Sequence, residues 1–189
     1  LGAYALSGFK LTILQRAYKK RVNDKSVLNR ERVHNQFEKK VGDMYSKAEL
    51  ENFGFKFRTK SDTEVICAAY KKWGEYCVKH FMGMWSFALW DKTRKKLFCS
   101  RDRFGIKPFY YFQFAEGFYF GSEYKALKEV PNFKKELNIE QFNRGLQLSW
   151  AVYKDETYYT MLKNLPPAHN LVWFNRKVTI TKYWDIDFT

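Results

Sequence analysis

The sequence predicts an α+β domain dominated by antiparallel hairpins, and three observations carry that prediction. Ser61 stands three residues ahead of Glu64 and opens an apolar run at helical spacing (Val65, Ile66, Ala69, Tyr70, Trp73), the pattern of a capping box that starts a helix at Ser61 or Asp62. Residues 84–91 (MWSFALWD) are then apolar at nearly every position, which reads as a strand buried on both faces. Polar turns follow at intervals suited to hairpins: residues 92–95 lead into a strand over 96–100, Glu116-Gly117 separates 106–114 from 118–121, and residues 175–177 separate 171–174 from 178–183. Hairpins gathered after a helix, without strand–helix alternation, make the α+β class.

Taken in order, residues 1–45 form a basic, divergent or non-native segment and residues 46–189 the domain. In the first part Leu11, Leu14, Ala17, Tyr18 and Val22 fall at near-helical spacing among Lys10, Arg16, Lys19, Lys20 and Arg21, which predicts a basic amphipathic helix. Residues 22–40 hold few large hydrophobes, the composition of an exposed helix or of a stretch whose burial does not offset its ordering entropy. Ser46 and Glu49 form a second capping box, Leu50 and Phe53 an apolar face, and Gly54 a C-terminal cap. Phe55 and Phe57 alternate with Lys56 and Arg58 as a half-exposed strand. The core helix stops at Gly74, and Tyr76, Val78 and Phe81 form a short amphipathic stretch. Beyond the hairpins, residues 123–128 read as a short helix ending before Pro131, and Asn138 caps another that carries Ile139, Phe142 and Leu146 on one face. An aromatic loop over 150–159 leads to the final hairpin, whose buried face continues into Trp184.

Composition bounds what this chain does. Its 189 residues are long enough for one ordinary domain with a sizeable core. The net charge of +14 is uneven, since residues 1–50 hold eleven basic and five acidic side chains. A basic stretch over residues 10–40 can bind polyanions; a lysine-rich solvated surface is the favoured account of it, and nucleic acid is the least favoured partner. Cys67, Cys77 and Cys99 are separated by ten and twenty-two residues with no Cys-x-x-Cys pair, so no metal site and no disulfide framework is suggested. A reduced, cytoplasmic setting fits. No apolar run reaches the roughly 18 residues of a membrane span, and no signal-peptide pattern opens the sequence. The first residue is leucine, which suggests a fragment.

The ordered motifs carry a resemblance. Ser61-Asp-Thr-Glu-Val-Ile, Trp73-Gly, Gly83-Met, Trp90-Asp, Leu97-Phe, Arg101-Asp-Arg-Phe-Gly-Ile-Lys-Pro, Tyr110-Tyr and Ser122-Glu-Tyr-Lys-Ala-Leu are similar to the glutaminase domain (type 2 glutamine amidotransferase) of glutamine-hydrolysing asparagine synthetases. Leu165-Pro-Pro-Ala-His and Tyr183-Trp-Asp resemble that domain's last strands, so the likeness runs from about Ala48 to Asp185; Ala168 departs where the family usually has glycine. The resemblance implies a four-layer αββα sandwich of the N-terminal-nucleophile hydrolase type, here with part missing. It implies a reaction in which an N-terminal cysteine attacks the side-chain amide of glutamine, its α-amino group carries the proton, an Asn-Gly-Glu motif supplies the oxyanion hole, and ammonia passes to a synthetase domain or subunit that uses ATP and Mg to activate aspartate. No cofactor is expected within this chain.

Of the family's substrate contacts, Asp62 alone is carried over, at the position that pairs with the α-ammonium of glutamine. The alternative reading of Asp62 is an anion favoured at a helix N-terminus. The nucleophile has no counterpart at Leu1-Gly2-Ala3, and Asn35-Gln-Phe-Glu stands where Asn-Gly-Glu is sought. Cys67, Cys77 and Cys99 read as buried packing residues, and His34, His80 and His169 form no nucleophile–base pattern. Arg101 and Arg103 sit in a loop that the resemblance implies lies near the junction with the synthetase; the alternative is a rigid connection in which Asp102 pairs with one of the arginines. The sequence therefore supports a glutaminase-domain portion without its chemistry, or a non-catalytic binding or scaffold module derived from it.

Overall fold

The computed structural model of the chain describes residues 4–6, 9–12, 46–59, 61–115, 117–148 and 155–187. The helix that opens the core, α2 (Asp62–Trp73), starts where the capping signal puts it: Ser61 is extended and its side chain accepts the Thr63 N–H at 3.3 Å. It stops at Gly74, whose φ of 61° suits glycine and whose N–H returns to the Tyr70 carbonyl. Before it, α1 (Ser46–Asn52) ends in a Schellman arrangement, with Gly54 N–H on Glu51 O at 2.8 Å and Phe55 N–H on Leu50 O at 3.1 Å. After it a 3₁₀ segment, Gly74–His80, buries Cys77 and Val78.

Two antiparallel sheets follow from alternation. The larger has the order β1 (Tyr4–Leu6), β2 (Phe9–Thr12), β3 (Ser86–Asp91), β4 (Lys96–Arg101), β8 (His169–Phe174), β9 (Lys177–Lys182). The smaller has β6 (Gly117–Gly121), β5 (Tyr110–Phe114) and β7 (Lys163–Asn164), with β5 in the centre. Along β3, β4 and β8, Phe87, Leu89, Phe98 and Val172 face α1 and α2 in one cluster. Their neighbours Ala88, Leu97, Cys99 and Leu171 face Tyr111 of the smaller sheet, and Phe109 just before it, in a second. The far side of β5 and β6 packs Phe112 and Tyr119 against Leu127 of α3 (Tyr124–Leu127), Phe133 and Leu162. Period-two alternation thus feeds three apolar layers, and helix, sheet, sheet and helix stack as an α+β sandwich. Each fully buried Phe or Leu contributes on the order of 1.5–3 kcal/mol, so Phe98, Phe109 and Phe112 anchor the three layers.

Several expectations are corrected here. Leu11, read as part of a basic amphipathic helix, lies in β2 opposite Leu89 of β3; pairing the β3 backbone outweighs local periodicity, because an open strand edge leaves a row of polar groups unmatched. The remainder of that predicted helix lies outside the described residues. Phe55 and Phe57 alternate in burial as predicted but have no strand partner; they pad the core cluster as extended chain. The Ser61 capping box is not reciprocal, for Glu64 reaches past Ser61 to Arg58 and Thr59, while Glu49 meets His80. The stretch 106–109 is not part of a strand, and β5 begins at Tyr110. The helix after Asn138, α4 (Ile139–Leu148), forms as expected; its apolar face, whose direction the sequence left open, is turned outward and Gln141 is buried.

Candidate functional site

The local structure around Asp62 is built by its neighbours. Glu64 accepts the N–H of Arg58 at 3.0 Å, and the N–H and hydroxyl of Thr59 at 2.9 and 2.8 Å; the Ser61 N–H goes to the Thr59 hydroxyl at 3.3 Å. The Arg58 N–H is the main cause holding the Glu64 carboxyl below the usual carboxylate range, and Thr59 adds to it. These bonds fix the turn over residues 58–64. Asp62 therefore stands exposed as the first residue of α2, at the end where unsatisfied N–H groups favour an anion. Chemically, a carboxylate held on a pre-ordered turn can receive a cation such as an α-ammonium. The same placement serves helix stability, so the two readings of Asp62 share one geometry.

The loop after β4 is held from within. Arg101 is nearly buried, and its guanidinium donates to Lys107 O at 2.8 Å, Gly105 O at 2.6 Å, Asn164 Oδ1 at 3.0 Å and Leu165 O at 2.6 Å. Asn164 belongs to β7, so this one side chain ties the larger sheet to the smaller. Burial pushes Arg101 down from its ordinary pKa, against the pull of the Asp102 charge. Asp102 does not pair with an arginine side chain in the manner expected: its carboxylate accepts the backbone N–H groups of Phe104, Ile106 and Lys107 at 3.1, 3.0 and 2.9 Å. Gly105 closes the turn at a φ of +64°, where an added Cβ would lie 2.8 Å from Pro167 Cγ. Arg103 reaches back to Phe81 O at 2.7 Å and lies over the rings of Trp85 and Trp184. Both arginines are thus occupied in holding the loop, and the side chains it presents outward are Phe104 and Ile106, 66% and 59% exposed. Sequence reading missed those two and Asn164; the Asp-x-Phe-Gly order is the signal that a carboxylate is organising a turn.

The three thiols are all free and buried. Cys67 and Cys77 lie in the helix-side cluster, where burial pushes them up to about 11 and about 12, and Cys99 lies between the sheets, raised by burial as well. His80 stacks on Trp73 with centroids 3.8 Å apart and meets Glu49 at 3.1 Å, while His169 Nδ1 lies 2.6 Å from Pro167 O. His34 and the Asn35 stretch lie outside the described residues. No helix among the described residues is long and apolar enough to cross a membrane. Ala168, the departure noted in the last motif, has a φ of +60°, which accounts physically for a glycine at that place.

Comparison with known proteins agrees with this architecture. A family described as the glutamine amidotransferase domain matches residues 42–184. The chain is 34% identical over 150 residues to asparagine synthetase [glutamine-hydrolyzing] 3 of Bacillus subtilis, covering 77% of this chain and 24% of that protein. It is 35% identical over 157 residues to asparagine synthetase [glutamine-hydrolyzing] 2 of the same organism, covering 77% and 20%. The chain thus spans a fifth to a quarter of the length of these relatives. Among solved structures, the glutamine phosphoribosylpyrophosphate amidotransferase of B. subtilis superposes with a TM-score of 0.52 at 18% identity, over 73% of this chain and 26% of that one, a likeness of fold.

Proposed function

The chain belongs to the glutamine amidotransferase domain family, and from that membership and the turn around Asp62 we propose that it is the glutaminase-domain portion of an asparagine synthetase-like protein that keeps the substrate-binding carboxylate and lacks hydrolytic activity within these 189 residues. The family reaction hydrolyses glutamine and delivers ammonia for ATP-dependent conversion of aspartate to asparagine. ATP and Mg belong to a synthetase unit in that scheme, and the loop of Arg101 and Arg103 is proposed to lie towards it. The compartment that suits three free thiols is the reducing cytoplasm.

The observation that carries the reading is the fixed turn over residues 58–64, which presents Asp62 at the positive end of α2. The positive end of the helix dipole favours a carboxylate at this position, the kind of group that receives an ammonium in the family reaction. Burial of all three thiols supports the second half of the proposal, because the thiolate is the nucleophile and burial disfavours it. This also favours the reading of the domain as a non-catalytic glutamine-binding module.

Titration of the full chain with glutamine, followed by calorimetry, tests the first half. Asp62→Asn is expected to weaken binding about tenfold or more, the scale of one lost charge-assisted contact; equal binding by the variant would remove Asp62 from the site. Glutamate release, measured with and without a thiol-blocking reagent, tests the second half. The expected result is none, and thiol-sensitive release would identify one of Cys67, Cys77 or Cys99 as a nucleophile.

A further inference from the structure

We propose that Thr59, through a hydroxyl whose proton is committed to Glu64, is the positioning residue that sets Asp62 for the α-ammonium of glutamine. This rests on the reading of Asp62 as the substrate carboxylate, and it adds what holds that carboxylate in place. Thr59 is exposed and lies ahead of the motif that begins at Ser61, yet both its N–H and its hydroxyl are engaged in the turn.

The bonds form a closed circuit around Ser61. Glu64 Oε2 accepts the Thr59 N–H at 2.9 Å and the Thr59 hydroxyl at 2.8 Å, and the same hydroxyl oxygen accepts the Ser61 N–H at 3.3 Å. On the other side of Ser61, the Glu64 N–H donates to Ser61 O at 3.1 Å. The two peptide groups that flank Ser61 are thus tied to Glu64, one directly and one through Thr59. Ser61 is held extended at φ −92° and ψ 132°, and Asp62 follows it as the first residue of α2.

Charge gives the circuit its direction. A hydroxyl has one proton, and an ionised carboxylate can only accept; Glu64 therefore takes that proton and leaves the Thr59 lone pairs to the Ser61 N–H. The Arg58 N–H is the main cause that lowers the Glu64 carboxyl, which keeps it an acceptor at neutral pH. Packing holds the other side of Asp62, where Thr63 and Val65 are 7% and 8% exposed and seat the first turn of α2 on the core. Residues 58, 59 and 61 are exposed, so hydrogen bonds rather than packing direct the chain into Asp62. Contact between a carboxylate and an ammonium depends on distance and direction, and a turn that sets the carboxylate also sets the affinity.

Calorimetric titration of the full chain with glutamine, and with 4-carbamoylbutanoate, the same molecule without its α-amino group, tests the assignment. Thr59→Val keeps the branched shape and removes the hydroxyl. It is expected to weaken glutamine binding about three- to tenfold, to leave binding of 4-carbamoylbutanoate and the melting temperature unchanged, and to be rescued by Thr59→Ser. In an Asp62→Asn background Thr59→Val should have no further effect, because its influence passes through the carboxylate. Three results would overturn the proposal and leave the reading of Asp62 standing: glutamine binding by Thr59→Val equal to wild type, equal weakening of both ligands, or a full additional loss on top of Asp62→Asn. If Asp62→Asn binds glutamine as the wild type does, or the wild type binds none, the reading of Asp62 fails and the role of Thr59 falls with it.

Discussion

Replacing Asp102 by alanine should loosen the junction of the two sheets, and its magnitude follows from the bonds it breaks. The carboxylate is 1% exposed and accepts three backbone N–H groups, Phe104 and Ile106 on Oδ1 and Lys107 on Oδ2. Each such bond contributes about 1–1.5 kcal/mol net, the low end for a charged acceptor, since N–H groups of the exposed Phe104 and Ile106 can regain water. Three bonds therefore give a loss of about 3–4 kcal/mol, a large share of the roughly 5–15 kcal/mol that holds a domain folded. For a chain of this size that corresponds to a fall of about 10 °C in melting temperature. Asp102→Asn separates the causes: an amide oxygen at the Oδ1 position keeps Phe104 and Ile106, while the amide nitrogen faces the Lys107 N–H donor to donor. Its cost should be about half that of alanine. Urea titration with both variants supplies the measurement. A loss below about 1 kcal/mol for Asp102→Ala, or equal losses for the two variants, would refute the assignment of Asp102 as the organiser of the loop.

Two further outcomes follow from single residues. At Asp91, burial by itself would raise the carboxyl, but the Arg94 N–H and guanidinium and the Tyr70 hydroxyl outweigh it and hold the pKa below the ordinary value. A depressed folded-state pKa gives stability that is complete above the unfolded value of about 3.9 and lost as pH falls through the folded one; the advantage of wild type over Asp91→Asn in urea melts should be constant from about pH 7 to 5 and shrink below about 4. At Ala168, relieving the positive φ gains about 1–2 kcal/mol, while glycine adds unfolded-state entropy worth roughly 0.5–1 kcal/mol and removes a buried methyl worth about 0.8 kcal/mol. Ala168→Gly should thus fall within about 0.5 kcal/mol of wild type in urea melts, where an Ala→Gly change in ordinary backbone would cost more than 1 kcal/mol.

What could be read from the sequence was local, and what could not was relational. Ser61 announces its helix because its partner, the Thr63 N–H, lies two residues away. The alternation of Phe87, Ala88 and Leu89, or of Leu97, Phe98 and Cys99, sorts side chains to two faces whatever the strand pairs with. Leu11 illustrates the limit, since its spacing fits a helix and only the open edge of β3, contributed from 78 residues downstream at Leu89, makes it a strand. Arg101 illustrates it again: its charge suggested an exposed role, and the four oxygens that enclose it come from two stretches of chain, 105–107 and 164–165. Asp62 was legible as a position because the motif and the helix start coincide, and its partner in any substrate is not written in the sequence at all.

α4 shows most clearly what separates pattern from placement. Period and capping predict its existence and its stripe correctly, since both depend on residues within one turn of each other. Which way the stripe faces depends on Tyr158, against which Gly145 fits because it lacks a side chain, and on Glu156, which draws Arg144 inward. Amphipathicity specifies an axis and leaves its sign to the neighbours. When the neighbours choose the polar side, as Tyr158 and Glu156 do here, the apolar stripe is left at the surface.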